Sequence, residues 1–456
     1  MTAGKKLRIS QCLIVKNEES NIERALSWGK DIMWEQIVVD TGSTDRTVEL
    51  AKKAGAKIFS FPWTDDFAAA KNYALEQAKG DWIAFLDADE YLMSEDAKKL
   101  YNVLKGLPAG KFDGISTGCL NLDDEGNISS SATLIRFFRN TLELRYRRRI
   151  HEQLESINGR ELYIGDLTKD ISIFHTGYQR KVLDSQAKKG RNRRLILKEL
   201  EDHPKSCEML GYMGDECVGD GDYSEAETWY RQAVEYMPSQ LSEFDQRSAV
   251  TFSKLLKLLA EREGAVWEDL KEIHSQAVKL LPQEADFDYI VARFFASQGQ
   301  AKEAIRYLET AIKKLDTYGC NNKALLLAGD LLAAYDLLVR CCYEAEERQK
   351  CVSYGVTYLK YNKYGMAVLS RILKTLLSDE RTEQETEKEY RRSSDKPAES
   401  KEYQAVAEFF AQIYDFSSLK DRLFLVKTAQ KSDCSGFAAY SLNHFFTLEE
   451  RSRLGI

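Results

Sequence analysis

Proline is scarce in this chain, at six residues in 456, and C-x-x-C cysteine pairs are missing altogether. The nine cysteines (Cys12, Cys119, Cys207, Cys217, Cys320, Cys341, Cys342, Cys351 and Cys434) are scattered, odd in number and never spaced as C-x-x-C. In so large a chain this argues against zinc knuckles and against a disulfide framework, and leaves buried free thiols. No apolar run approaches the roughly 20 residues that cross a bilayer. The opening MTAGKKLRISQ lacks the apolar stretch of a secretory signal. The chain therefore reads as cytoplasmic, without a transmembrane segment. Basic residues are not in excess: 65 Lys and Arg face 72 Asp and Glu, for a formal net charge of -7. General attraction to nucleic acid is thus not expected to be its business. No Gly-x-Gly-x-x-Gly and no Walker loop occurs, which argues against dinucleotide enzymes and phosphate-loop ATPases.

What is present is enough apolar material, 43% of residues, to fill two or three domain cores. The first ninety residues alternate strand and helix patterns. Strands are expected over Leu7–Val15, Gln36–Val39, Lys57–Phe61 and Trp82–Leu86, and helices over Asn17–Trp28, Arg46–Ala54 and Asp65–Lys79. Such alternation with short connections means a mostly parallel sheet with helices on both faces. Strand-like runs at Gly114–Leu120 and Thr133–Phe138, around the acidic turn 123–127, suggest an antiparallel addition to that sheet.

The second half reads as all-α. Gly214, Ala226, Tyr230, Ala233 and Pro238 match the small and aromatic positions of a tetratricopeptide unit. A second copy appears at Ala292, Ala304, Leu308 and Ala311, with a divergent unit or an insertion between the two. The expected organisation is an α/β domain over 1–180, a basic bridging helix over 181–206 and helical repeats over 207–378. A charged linker over 379–402 and terminal helices over 403–456 follow.

In a parallel α/β sheet, ligands gather at the carboxyl ends of the strands. Three polar clusters fall there: Lys16-Asn17-Glu18 after the first strand, Asp40 ending the second, and Asp87-Ala88-Asp89 after the fourth. Each alone could be a capped turn. In an extended Asp-x-Asp both carboxylates point to one side, where they can hold a hard divalent cation with positions left open for phosphate oxygens. Such a cation would neutralise the charge that develops on a departing diphosphate.

The segments ISQCLIVKNEESNIERALSW, QIVVDTGSTDRT and DDFAAAKNYALEQAKGDWIAFLDADEYL resemble the family 2 glycosyltransferases of GT-A fold, over roughly residues 8–180. The resemblance implies inverting transfer from a nucleotide sugar, usually a UDP-sugar such as UDP-glucose, with a divalent cation, Mn2+ or Mg2+. It implies donor contacts from Asn17, Glu18 and Asp40, with Asp40 at the base and Glu18 near the nucleoside. Asp87 and Asp89 would serve ribose, diphosphate and metal. Lys71 stands where many relatives carry arginine in an A-R-N signature, so the charge is kept and the planar fork is not. RRRIHEQL at 147–154 and IFHTGY at 173–178 resemble family 2 enzymes fused to tetratricopeptide repeats, among them the peptide glycosyltransferases that modify sublancin-type bacteriocins. By that resemblance His175 would complete the metal site with Asp89.

Inversion by direct displacement needs a base for the acceptor proton. Glu152 is the leading candidate and His151 the second; Glu90 is either a base or the start of a helix. The arginines Arg136, Arg139, Arg145, Arg147, Arg148 and Arg149 either grip the donor diphosphate or an acidic acceptor, or form an exposed, balanced strand face. Trp63 and Phe67 read as core rather than as sugar platforms, and Tyr178 fits either role. Three functions compete. In the first, a peptide or protein side chain is glycosylated, with the acceptor docked on the helical repeats. In the second, a lipid-linked or cell-envelope saccharide is extended, and residues 181–198 serve as a weak membrane contact. The third is a non-catalytic scaffold. Repeat surfaces of this kind also suit a homodimer.

Overall fold

The computed structural model describes residues 7–108, 110–176, 186–242, 245–319, 325–377 and 401–455. The expected linker at 379–402 and the first residues of the bridging segment lie almost wholly outside them. The chain divides into two compact units, Met1–Asp222 and Tyr223–Ile456.

The first unit is built on an eight-stranded sheet. Its strands are β1 (Ile9–Val15), β2 (Glu35–Asp40), β3 (Lys57–Ser60), β4 (Trp82–Phe85), β5 (Glu90–Leu92), β6 (Gly114–Leu122), β7 (Ile128–Arg139) and β10 (Ile164–His175). Their spatial order is β3-β2-β1-β4-β7-β6-β10-β5. Strands β3, β2, β1 and β4 are mutually parallel, as the alternation requires. β7 then runs antiparallel to both β4 and β6, β10 runs parallel to β6, and β5 closes the edge antiparallel to β10. A separate hairpin, β8 (Leu144–Arg147) and β9 (Gln153–Ser156), completes the β-structure.

The central strands are nearly uniformly apolar because both faces are covered. Trp82, Ala84 and Leu86 turn to one side, with Leu100 and Leu104 of helix α4 (Ser94–Gly106). Ile83 and Phe85 turn to the other, with Ala74 and Leu75 of α3 (Phe67–Gln77). Leu13, Val15 and Val38 pack with α1 (Ile22–Ser27) and α2 (Thr47–Lys53). Helix α1 begins later than the expected Asn17, because Asn17 itself sits at φ 58, a left-handed conformation that asparagine tolerates. Beyond the sheet, α5 (Gln186–Asp202) packs on α6 (Cys207–Asp220) through buried Leu195, Ile196, Met209 and Met213. Ser206 caps α6 and Gly221, at φ 81, ends it.

The second unit is helical throughout its described residues, from α7 (Tyr223–Glu235) onward. The interval between the two repeat copies is occupied by α8 (Gln246–Glu261) and α9 (Trp267–Leu280), which pack on each other as a divergent pair. The second copy is the pair α10 (Ala285–Ser297) and α11 (Ala301–Tyr318). There Ala292, Ala304, Leu308 and Ala311 are all fully buried, the small side chains letting the helices approach closely. Helices α12 (Leu325–Gly329), α13 (Leu331–Glu344), α14 (Arg348–Tyr361) and α15 (Met366–Leu376) follow. The chain ends with α16 (Lys401–Phe410), α17 (Leu419–Lys431), α18 (Ser435–Phe445) and α19 (Leu448–Leu454). Among the described residues, no helix is long and apolar enough to cross a membrane.

Candidate active site

The parallel strands β2, β1 and β4 end on one edge of the sheet, and the three polar clusters stand there. The turn after β2 folds around the Asp40 carboxylate, which accepts from Gly42 N (3.3 Å) and Ser43 N (3.0 Å). Gly42, at φ 107, is in a region that side chains disfavour. Asn17 ties this turn to the β1 loop: its Oδ1 accepts from Thr44 N at 2.8 Å, and its own N–H donates to Ser43 Oγ at 3.0 Å. Glu18 N donates to Thr47 Oγ1, and the Glu18 carboxylate accepts from Asn21 Nδ2 at 2.8 Å. Asn17, Glu18 and Asp40 are thus brought together.

Lys71, Asp87 and Glu152 form a second group at the end of β4. Lys71 is buried on α3, with its ammonium 2.5 Å from Glu152 Oε1 and 3.5 Å from Asp87 Oδ1. The rings of Phe85 and Tyr146 each lie 5.1 Å from it. Burial works against that charge, but Asp87 and Glu152 outweigh it and hold the pKa above the ordinary lysine value. The next residue, Asn72, accepts from Tyr146 N and donates to Tyr146 O, both at 2.9 Å, which pins the β8–β9 hairpin to α3.

Of the six arginines, one joins this group. Arg136 is buried on β7 and its Nη2 reaches both Asp87 Oδ2 and Glu90 Oε1 at 2.5 Å. Desolvation would raise the Asp87 carboxyl, yet Arg136 and Lys71 hold it far below the usual carboxylate range. Glu90 moves the other way, raised by burial and by the Asp87 charge against the pull of Arg136. Glu90 neither starts a helix nor stands open as a base: it is buried, opens β5, and accepts from Asp87 N at 3.0 Å.

Asp89 is turned toward His175 rather than toward these cations. Its Oδ2 lies 3.4 Å from His175 Nε2. In the β6–β10 ladder His175 is level with Asn121, whose Oδ1 is 2.8 Å from His175 Nδ1. The amide of Asn121 donates to Ser130 Oγ at 2.9 Å, and its oxygen is the atom that faces the ring. Nε2 faces the Asp89 carboxylate. Burial lowers the His175 pKa, but the hydrogen bond and charge of Asp89, with Glu90 and Asp87 behind it, leave it raised. Among the described residues no group of three or more His, Cys, Asp or Glu is gathered as a metal cage; this is a pair. The Asp89 backbone is held by Thr176, whose hydroxyl accepts in turn from Arg24 at 2.8 Å.

His151 and Glu152 are neighbours with different partners. The His151 ring lies flat on Tyr212 of α6, with centroids 3.6 Å apart, and its backbone is left-handed at φ 52. Four of the other five arginines are structural or peripheral. Arg139 covers the Trp82 ring, Arg145 donates to carbonyls, Arg148 pairs with Glu208, and Arg149 pairs with Asp202 at 2.7 Å. Trp63 and Phe67 meet edge to face as a half-buried pair, at the periphery rather than in the core. Tyr178 lies outside the described residues. Sequence reasoning missed Asn121 and Tyr212, since neither carries a local signal.

A mostly parallel sheet with acidic turns along one strand edge, to which β10 brings in a histidine, has the layout of the GT-A fold that the sequence motifs imply. Residues 10–183 match the model of glycosyl transferase family 2, and this segment is a glycosyltransferase domain of that family. Its relatives include a TPR repeat-containing protein of Synechococcus elongatus, 33% identical over 50% of this chain and 56% of that protein. They also include the SPbeta prophage-derived glycosyltransferase SunS of Bacillus subtilis, 27% identical over 56% of this chain and 59% of that protein. The chain thus spans little more than half the length of these relatives. Among solved structures, glucosyl-3-phosphoglycerate synthase from Mycobacterium tuberculosis, in complex with Mn2+ and UDP-glucose, is 24% identical. That match covers 26% of this chain and 45% of that one, with a TM-score of 0.22, too low to carry an argument.

Proposed function

We propose that the protein transfers a sugar, with inversion, from a UDP-linked donor to a side chain of a peptide or protein. The observation that carries the reading is the pairing of Asp89 with an oriented His175, beside the Lys71–Asp87–Glu152 group on the strand edge. One carboxylate oxygen and one imidazole nitrogen suit manganese or magnesium, and the Nδ1 contact with Asn121 orients the ring so that Nε2 faces Asp89. When bound, the cation would supply charge neutralisation at the donor diphosphate.

The chain's own residues account for the other requirements. Asn17, Glu18 and Asp40 shape the turn that would receive the nucleoside. In the displacement, an acceptor oxygen or sulfur bonds to the anomeric carbon as the bond to the diphosphate oxygen breaks. The acceptor proton passes to Glu152, with His151 the second choice. Lys71 orients the Glu152 carboxylate and remains protonated while doing so. Asp87, clamped by Lys71 and Arg136, is best placed for donor hydroxyl groups, which leaves Asp89 and His175 for the ion.

The test is turnover of radiolabelled nucleotide sugars with and without manganese. Release of free sugar from a UDP-sugar is expected in wild type. Glu152→Gln should bind the donor normally while losing about 100-fold or more in turnover. Unchanged turnover in that variant removes Glu152 as base, and no turnover of any donor by wild type sinks the transferase reading.

A further inference from the structure

We infer that Tyr212 of α6 is a positioning residue for the candidate base: its ring holds the turn that aims Glu152 at Lys71. This rests on the transferase reading, with Glu152 as base, and names what keeps that base in place. Strands β8 and β9 pair from Leu144 with Ser156 to Arg147 with Gln153, so residues 148–152 form the tip of the hairpin. Two of these residues are left-handed without being glycine, Arg148 at φ 76 and His151 at φ 52. Such conformations are sparsely populated and persist only where the surroundings over-determine them. The backbone at His151 also sets the direction in which the next side chain leaves the loop. Holding His151 left-handed and aiming the Glu152 carboxylate are therefore one task.

The surroundings are two helices. On α6, Glu208 pairs with Arg148, and Tyr212 lies flat on His151, with ring centroids 3.6 Å apart and planes inclined by 9°. Glu208 and Tyr212 stand at i and i+4, so one face of α6 takes both left-handed residues. Helix α5 holds a residue between them: Glu199 accepts from Arg149 N at 2.9 Å, and Asp202 pairs with the Arg149 guanidinium at 2.7 Å. Arg149 O in turn accepts from Phe67 N at 2.9 Å, at the start of the helix that carries Lys71. Loop and lysine thus share one frame, in which Glu152, with a side chain 16% exposed, meets Lys71 at 2.5 Å. Helix α6 is itself anchored, since Met209, Met213 and Cys217 on it are buried. The ion pairs of the loop are partly solvated, and pairs of that kind contribute little. A flat ring contact fixes the imidazole in orientation as well as in place. The stack is therefore the contact that most narrows His151, and through it Glu152.

The test measures steady-state release of free sugar from a UDP-sugar by the full chain. Tyr212→Phe keeps the ring and should stay within about twofold of wild type. Tyr212→Ala should lower kcat by about 10–100-fold while KM for the donor moves by less than about twofold, as for a misplaced group rather than a lost binding contact. Added to Glu152→Gln, Tyr212→Ala should cost nothing more, because a residue that acts through Glu152 has no effect once that carboxylate is gone. Full turnover in Tyr212→Ala overturns the inference, and so does a loss that adds to that of Glu152→Gln. Equal losses in Tyr212→Phe and Tyr212→Ala overturn it too, since the hydroxyl would then be the working part. If Tyr212→Ala proves unfolded, Glu208→Gln takes its place: it removes the other grip of the same face, and an unchanged kcat there overturns the inference. A crippled Glu152→Gln beside a fully active Tyr212→Ala sinks the positioning role alone, whereas full turnover in Glu152→Gln sinks the base assignment and the positioning role together.

Discussion

The Lys71 ammonium lies 2.5 Å from the Glu152 carboxylate, between the rings of Phe85 and Tyr146. A lysine with no solvent of its own is stable only because Glu152 and Asp87 face it, so fold and site share one ion pair. Lys71→Met should therefore destabilise the first unit by about 3 kcal/mol, the cost of leaving the largely buried Glu152 carboxylate without its cation while Asp87 keeps Arg136. Lys71→Arg keeps the charge but overfills the pocket, at a cost of about 1–3 kcal/mol. Chemical denaturation of both variants measures this, and equal stability of wild type and Lys71→Met would contradict it.

Asp89→Ala and His175→Ala should each abolish manganese-dependent turnover while leaving the far-UV circular dichroism unchanged. Full activity of either variant in saturating manganese removes the proposed ion-binding role.

Asn121 touches His175 alone of the proposed ligands. Replacing it with alanine frees the ring and its tautomer, and should weaken manganese binding by about 10–100-fold. Titration followed by electron paramagnetic resonance reads the change directly, and an unaltered affinity would make Asn121 a strand residue only.

Asp65 joins the turn before α3 to α5. Its carboxylate is 2.8 Å from Arg194 and 2.5 Å from Lys198, and these hydrogen bonds lower its pKa to about 2. A lowered folded-state pKa means that the contribution is complete above the unfolded value of about 3.9 and disappears as pH falls toward 2. The cations are partly exposed, so solvent screening limits the contribution to about 1 kcal/mol or less. Asp65→Asn, which also tolerates the residue's φ of 58, should lower the melting temperature at pH 7 and lose that difference near pH 2. A constant difference across this range would assign the effect to packing.

Fragments ending at 203 and at Asp222 should behave differently. The shorter one exposes Leu195 and Ile196 by removing α6, with Met209 and Met213, and is expected to aggregate. The longer one keeps the compact first unit and should retain donor hydrolysis. Analytical ultracentrifugation with a turnover assay decides, and a soluble, active fragment at 203 would show that α6 is dispensable.

Much of this was legible along the chain. Short apolar runs ending in Asp or Asn marked the strand ends, because polar turns must follow buried strands. Asp40, Asp87 and Asp89 were placed by that rule before any contact was known. The small residues Ala292, Ala304 and Ala311 announced close helix packing. The hairpin β8–β9 and the edge strand β5 were not legible. Each is only a few residues long and is stabilised by partners distant in sequence, such as Asn72 for Tyr146 and β10 for β5.

Local sequence thus determined which strands exist and where their acidic ends fall, since alternation of apolar runs and turn residues is a property of neighbours. Only the tertiary structure decided which charge meets which. Six arginines looked equivalent, and Arg136 alone reaches Asp87 and Glu90, because β7 runs antiparallel to β4 and carries it to the end of that strand. His175 meets Asn121 and Asp89 for a similar reason: β10 crosses to lie parallel to β6. Pairings made across a sheet depend on strand order, which no stretch of neighbouring residues encodes.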